Sequence, residues 1–158
     1  IKVCFSGQYT RDELLKYISS KGGLVAYLGT NSVKEVMQRI GEGDQRAQKV
    51  MESMCYNIVK QIGATAAAMA GKVDAIVLTA GVGENCDKMR RMIFAGLQPL
   101  GIKIDLEKNR KGLRGEREIS TDDSEVRIVI IPTDEEYMIA RDTYQLVKEG
   151  TLEITELA

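Results

Sequence analysis

Val73-Asp74-Ala75-Ile76-Val77-Leu78-Thr79 runs directly into Ala80-Gly81-Val82-Gly83-Glu84-Asn85, and then into a helical pattern carrying Met89, Met92, Ile93 and Leu97. A nearly unbroken apolar run of this length reads as a parallel strand buried on both faces. The glycine-rich turn and helix that follow make it one half of a strand–helix–strand unit. The second strand is supplied by Val126 to Ile131, also wholly apolar but for Arg127, and stopped by Pro132. Thr133-Asp134-Glu135-Glu136 then opens a last long helix with the stripe Tyr137, Ala140, Tyr144 and Val147, Thr133 and Glu136 having the spacing of a capping box. Strands alternating with helices define an α/β layered domain.

Upstream the same alternation is expected. Ile1 to Phe5 reads as a strand, and Thr10-Arg11-Asp12-Glu13 as a capping box. The helix it starts carries Leu14, Leu15, Tyr17 and Ile18, and stops at Gly22-Gly23. Leu24 to Leu28 reads as a short strand. Ser32-Val33-Lys34-Glu35 is a second capping box, opening a helix with Val33, Val36, Met37 and Ile40 on one face. The longest helix is expected from Asp44 to Ala70, with Ala47, Val50, Met51, Met54, Ile58 and Ile62 recurring at three- and four-residue steps. Its small-residue end, Gly63 to Ala68, suits close packing. Ile102 to Asp105 reads as an edge strand, and Lys108 to Asp123 as a charged, exposed loop or hairpin. Residues 1–158 show no linker or repeat and are taken as a single domain. The chain opens on Ile1 rather than Met, as a piece of a longer protein would.

Composition narrows the function. The 158 residues are 44% hydrophobic and 28% charged, with 22 Lys plus Arg against 23 Asp plus Glu. A net charge of −1 and 5% aromatics speak against a nucleic-acid footprint. The chain has no histidine, so Ser-His-Asp, Cys-His and His-zinc chemistry cannot run within it. Cys4, Cys55 and Cys86 are too widely spaced for a metal knuckle and read as buried thiols of a reducing cytoplasm. No stretch approaches the roughly 18 apolar residues of a membrane span, so a cytoplasmic protein without membrane contact is expected.

In open α/β sheets ligands bind beyond the carboxyl ends of the strands. Gly81 to Asn85 is one such place, although Cys86 stands where a dinucleotide fingerprint has its third glycine and the Gly-Lys-Ser/Thr of a P-loop is absent. As a plain strand-to-helix turn it would need no ligand. Asp134-Glu135-Glu136 is the other. Glu136 is accounted for by helix capping, which leaves Glu135 available for a hydrated Mg²⁺.

The stretch Asp74 to Asn85 resembles the nucleotide segment of acetate kinases, as do Ile130 to Glu136 and Ile139-Ala140-Arg141-Asp142-Thr143. Leu100 to Asp105 and Ile119-Ser120-Thr121 are similar to the same family. Phe5 to Thr10 and Lys21 to Asn31 are more similar to butyrate kinases. Both belong to the short-chain carboxylate kinases. The resemblance implies a ribonuclease-H-like α/β domain of the actin-like ATPase superfamily, of the acetate and sugar kinase type. It further implies the carboxy-terminal half of a two-domain kinase that pairs as a homodimer. Gly81, Val82, Gly83, Glu84 and Asn85 would line ATP or ADP, and Glu135 would hold Mg²⁺. An Asp-x-Arg nucleotide contact of the family falls on Ser32 and Lys34, which removes the planar guanidinium fork. Ser32 is equally accounted for as a helix cap.

The family's catalytic arginines and histidines lie in the other half, so no catalytic residue is assigned here. This chain alone is expected to turn over nothing. Acetate is favoured as acceptor over butyrate or propionate because the nucleotide and metal motifs are acetate-kinase-like. The competing reading is a stand-alone dimerisation module with a vestigial nucleotide site.

Overall fold

The computed structural model describes residues 2–110 and 115–148. Helix α1 spans Arg11–Ser20, α2 Gly23–Leu28, α3 Val33–Gly41 and α4 Gln45–Ala68. Strand β1, Ala75–Leu78, follows, then α5 Ala80–Asn85 and α6 Asp87–Leu97, with a 3-10 turn at Gln98–Leu100. Strands β2 (Arg117–Glu118) and β3 (Arg127–Ile130) precede α7, Glu135–Lys148.

The caps explain where the helices start. Thr10 and Glu13 form the expected box: Glu13 N–H donates to Thr10 Oγ1, and Thr10 N–H to Glu13 Oε2 at 2.8 Å. Asp44 caps α4 by accepting from Ala47 N–H at 2.9 Å, and Arg39 binds the other oxygen of the same carboxylate at 2.7 Å. The second expected box is half made. Ser32 Oγ accepts from Glu35 N–H, but the Glu35 carboxylate takes the Thr30 hydroxyl (2.7 Å), and Ser32 N–H donates to Thr30 Oγ1 instead.

β1 and β3 run parallel, with Ala75 opposite Arg127 and Leu78 opposite Ile130. β2 adds antiparallel to β3, giving the order β1-β3-β2. The expected edge strand at Ile102 to Asp105 is reduced to one antiparallel bridge, Ile104 to Ser120. The core joins α3, α4 and α6 to one face of this sheet: Val36, Met51, Phe94, Leu97, Ile119, Ile128 and Ile130 are almost wholly buried. At roughly 25 cal/mol per Å² of apolar area, this cluster is what holds the helices to β3. α6 comes close to α4 at Gly96, where a Cβ would stand 3.1 Å from Val59 Cγ2.

Several expectations are corrected. Residues 2–5 form exposed turns, not a strand, and Ile1 lies outside the described residues. Leu24 to Leu28 is helical, because Gly29 at φ 76° supplies a left-handed helix stop that an extended run would not use. β1 is not buried on both faces: Ala75 and Val77 are exposed and Ile76 and Leu78 half-buried, since one face of the small sheet has no layer over it among the described residues. The Gly63 to Ala68 end of α4 is mostly exposed, and a Cβ on Gly63 would meet nothing within 4 Å. The α7 stripe is not core either, as Tyr137, Tyr144 and Val147 are each more than 60% exposed. Within the charged segment Lys108 to Asp123, residues 111–114 lie outside the described residues, while Asn109, Ile119 and Ser120 are buried rather than exposed. Cys4 is exposed, so only Cys55 and, partly, Cys86 are buried thiols.

Candidate functional site

Because β1 and β3 are parallel neighbours, their carboxyl ends lie side by side, and Ile131 N–H extends the ladder by donating to Leu78 O at 3.0 Å. Both strands then turn into helices. After β1, Thr79 stays extended and Ala80 takes φ 59°, a left-handed conformation that turns the chain sharply into α5. The expected Gly81 to Asn85 turn is therefore a short helix. It folds back on the strand it leaves: a Cβ on Gly83 would lie 3.3 Å from the Leu78 carbonyl carbon. Gly81 and Val82 are exposed, and a Cβ on Gly81 would meet nothing within 4 Å, so that edge faces open space.

After β3, the cap of α7 is Asp134 and not Thr133. Tyr137 N–H donates to Asp134 Oδ1 at 3.0 Å, and Met138 N–H to Asp134 O. Thr133 is occupied elsewhere: its N–H donates to Glu84 Oε1 at 3.1 Å and its hydroxyl reaches the same oxygen at 3.5 Å. Glu84 thus ties the segment after β1 to the segment after β3. Glu135, the first residue of α7, is exposed and makes no hydrogen bond or ion pair with the described residues. A lone carboxylate of this kind suits Mg²⁺, which takes one or two carboxylates and fills the rest of its octahedron with water and phosphate oxygens. No group of three or more acidic or thiol side chains that could cage a metal occurs among the described residues.

The sequence missed the groups that hold this segment in place. Arg90, 2% exposed, donates through Nη1 to Gly83 O (2.8 Å) and Glu84 O (2.9 Å). Its Nε donates to Asn109 Oδ1 (2.7 Å), and Asn109 Nδ2 in turn donates to Asp87 O (3.0 Å). Burial, and then the charge of Arg117, lowers the Arg90 pKa from its ordinary value. A signal was present: Arg90 shares one helical stripe with Ile93, Phe94 and Leu97, the buried face of α6.

Ser32 and Lys34 sit at the start of α3, which packs against α4. No hydrogen bond or ion pair among the described residues joins them to the Gly81 to Asn85 segment. Lys34 is exposed and Ser32 is engaged as a cap. A cleft of about 1010 Å³ lies elsewhere, between α2, α4 and β1, lined mainly by apolar side chains such as Leu24, Val50, Met54, Ile58 and Ile76. It contains none of the candidate residues.

The sequence and the fold have parallels among known proteins. Residues 5–141 match the model of the Acetokinase family, and the chain belongs to that family. It is 44% identical over 139 residues to the acetate kinase of Syntrophobacter fumaroxidans, covering 88% of this chain and 34% of that one. It is 47% identical over 131 residues to the acetate kinase of Carboxydothermus hydrogenoformans, covering 82% and 32%. The crystal structure of Porphyromonas gingivalis acetate kinase superposes with a TM-score of 0.79 at 34% identity, over 92% of this chain and 36% of that chain. A propionate kinase from Francisella tularensis superposes with a TM-score of 0.76 at 31% identity, over 87% and 35%. The fold is the ribonuclease-H-like α/β fold of the actin-like ATPase superfamily. This chain spans about a third of the length of the curated relatives it matches. No helix among the described residues is long and apolar enough to cross a membrane.

Proposed function

We propose that residues 1–158 form the nucleotide-binding, carboxy-terminal part of a two-domain kinase that moves phosphate between ATP and acetate, giving acetyl phosphate and ADP. The observation that supports this most is the joining of the two strand ends. Gly81, Val82, Gly83, Glu84 and Asn85 form one wall, the α7 start with Glu135 forms the other, and the Glu84–Thr133 contact sets their separation. Gly81, open on its outer side, lets a nucleotide approach the backbone, while a Cβ on Gly83 would press on the Leu78 carbonyl carbon at 3.3 Å.

Glu135 would hold Mg²⁺, which when bound neutralises charge on the nucleotide phosphates. This chain's residues bind and orient. Phosphoryl transfer also needs positive charge around the moving group, and Lys34 is the one cation at the predicted contacts. The transition-state clamp and the carboxylate pocket are assigned to the rest of the kinase, and the chain alone is inactive in this reading. The protein acts in the cytoplasm as a homodimer. Propionate or butyrate is the alternative acceptor, supported by the likeness to the Francisella tularensis propionate kinase.

Titration calorimetry of Mg²⁺-ADP into the chain tests the reading, with Glu135→Gln and Gly83→Val alongside. Binding in the native chain, weakened by both substitutions, is the expected result. A folded native chain that takes up no nucleotide refutes it and leaves a dimerisation module as the better account.

A further inference from the structure

We infer that Arg90 is a positioning residue for the nucleotide segment, its buried guanidinium fixing the Gly83 and Glu84 carbonyls and, through Glu84, the loop that presents Glu135. The inference rests on the nucleotide reading above. Helix α5 has only six residues, and a helix end leaves its last carbonyls without intrahelical partners. Here their partners can be accounted for in turn. Gly81 O accepts from Asn85 Nδ2 (3.0 Å), and Val82 O from Cys86 N–H (3.1 Å). Gly83 O and Glu84 O accept from Arg90 Nη1, alone of the side chains among the described residues.

Arg90 lies one turn into α6, so without it the α5–α6 corner would hinge at Cys86, which is not helical (φ −111°, ψ 84°). The guanidinium is itself held on its other edge by Asn109, through Oδ1 at 2.7 Å and its backbone carbonyl at 3.2 Å, and Asn109 is anchored to Asp87 O. Arg90 and Asn109 are 2% and 4% exposed, so each lost hydrogen bond would strand a buried polar atom.

The chain of contacts does not stop at the carbonyls. Glu84 is backbone-clamped by Arg90 and side-chain-bonded to Thr133, two residues before Glu135. A shift of the Glu84 main chain moves the Thr133 amide and therefore the start of α7. A lysine at position 90 keeps the charge and much of the bulk, but its single nitrogen cannot serve two carbonyls on one edge and Asn109 on the other.

The experiment compares Arg90→Lys, Asn109→Ala and Ile93→Val with the native chain. Ile93 lies in the core on the same helix and touches neither carbonyl, so it reports a loss of stability alone. Mg²⁺-ADP affinity is measured by calorimetry well below each melting temperature, and amide hydrogen exchange is followed at Cys86 and Thr133. Arg90→Lys is expected to weaken Mg²⁺-ADP binding about tenfold or more and to speed exchange at Thr133. Ile93→Val is expected to melt earlier with affinity and Thr133 exchange unchanged. If Arg90→Lys does not fold, Asn109→Ala, which removes the side-chain acceptor of Nε, carries the same comparison. Affinity within about twofold of native in a folded Arg90→Lys overturns the inference while the nucleotide reading stands. A native chain that binds no Mg²⁺-ADP overturns both.

Discussion

Ala80 enters α5 at φ 59°, and Ala70, just past the end of α4, sits at φ 54°. Both are non-glycine residues in the left-handed region, where an L-residue's Cβ crowds the following carbonyl at a cost of about 1–2 kcal/mol. Replacing either alanine with glycine removes that clash. Glycine in turn loses more backbone freedom on folding, about 0.5–1 kcal/mol relative to alanine. The difference leaves a net gain of about 0.5–1 kcal/mol for Ala80→Gly, which for a chain of this size raises the melting temperature by about 1–4 °C. Ala70→Gly should behave alike. The two sites lie on separate turns with no described contact between them, so the double variant should show the sum. Ala80→Val should go the other way, because a β-branched residue is the least tolerated in this region. Thermal melts followed by far-UV circular dichroism decide it. An Ala80→Gly variant that melts below the native chain while Ala70→Gly melts above it would refute the left-handed entry into α5, and with it the fold-back of Gly83 onto Leu78.

Three further outcomes are expected. Gly101 combines φ 78° with a Glu125 carboxyl carbon that a Cβ would meet at 2.7 Å; Gly101→Ala should lower stability by about 1–2 kcal/mol, measured by urea unfolding. The Ala47 amide and then Arg39 hold the Asp44 pKa below the usual carboxylate range. The stability Asp44 contributes is therefore present above its unfolded pKa and lost as pH falls through the lower folded value, and a pH series comparing native chain with Asp44→Asn should show a smaller acid-side loss in the variant. Burial pushes the Cys55 thiol up to about 11. Stability should fall as pH rises from the ordinary thiol range toward that value, and a maleimide at neutral pH should modify exposed Cys4 while leaving Cys55 unlabelled until the chain is unfolded.

The helical half of the fold was legible because its signals are periodic and long. Ala47, Met51 and Cys55 recur at four-residue steps and are the buried residues of α4, and Asp44 is an ordinary cap for it. Short apolar runs were not legible. Ile1 to Phe5 and Leu24 to Leu28 have too few residues for a period of two to be told from 3.6, so a strand fits either on sequence alone. The burial of β1 is illegible for a different reason: an apolar run shows what could be covered, not what covers it.

At the site, the sequence placed Gly81 to Asn85 and Glu135 at two strand ends. Only the pairing of β1 with β3 shows that those ends are neighbours. Thr133 fits the capping box as Thr-x-x-Glu, but the side-chain oxygen of Asp134 accepts from Tyr137 N–H instead, and Thr133 bonds Glu84. Arg90 went unnoticed because an arginine in a helix is presumed to reach water, even on a stripe whose other members are Ile93, Phe94 and Leu97.

α7 buries none of its side chains among the described residues. A helix with nothing packed on it is marginal in water, since its first turn fixes several residues for one hydrogen bond. Among the described residues, what holds the start of α7 is therefore its own hydrogen bonds and the Asp134 cap. Any surface that covers Tyr137, Ile139, Tyr144 or Val147 would add burial energy to the helix and so hold the Glu135 end of it more firmly. In the reading that gives Glu135 to Mg²⁺, the position of that carboxylate is set by helix nucleation, from the far face of the element that carries it.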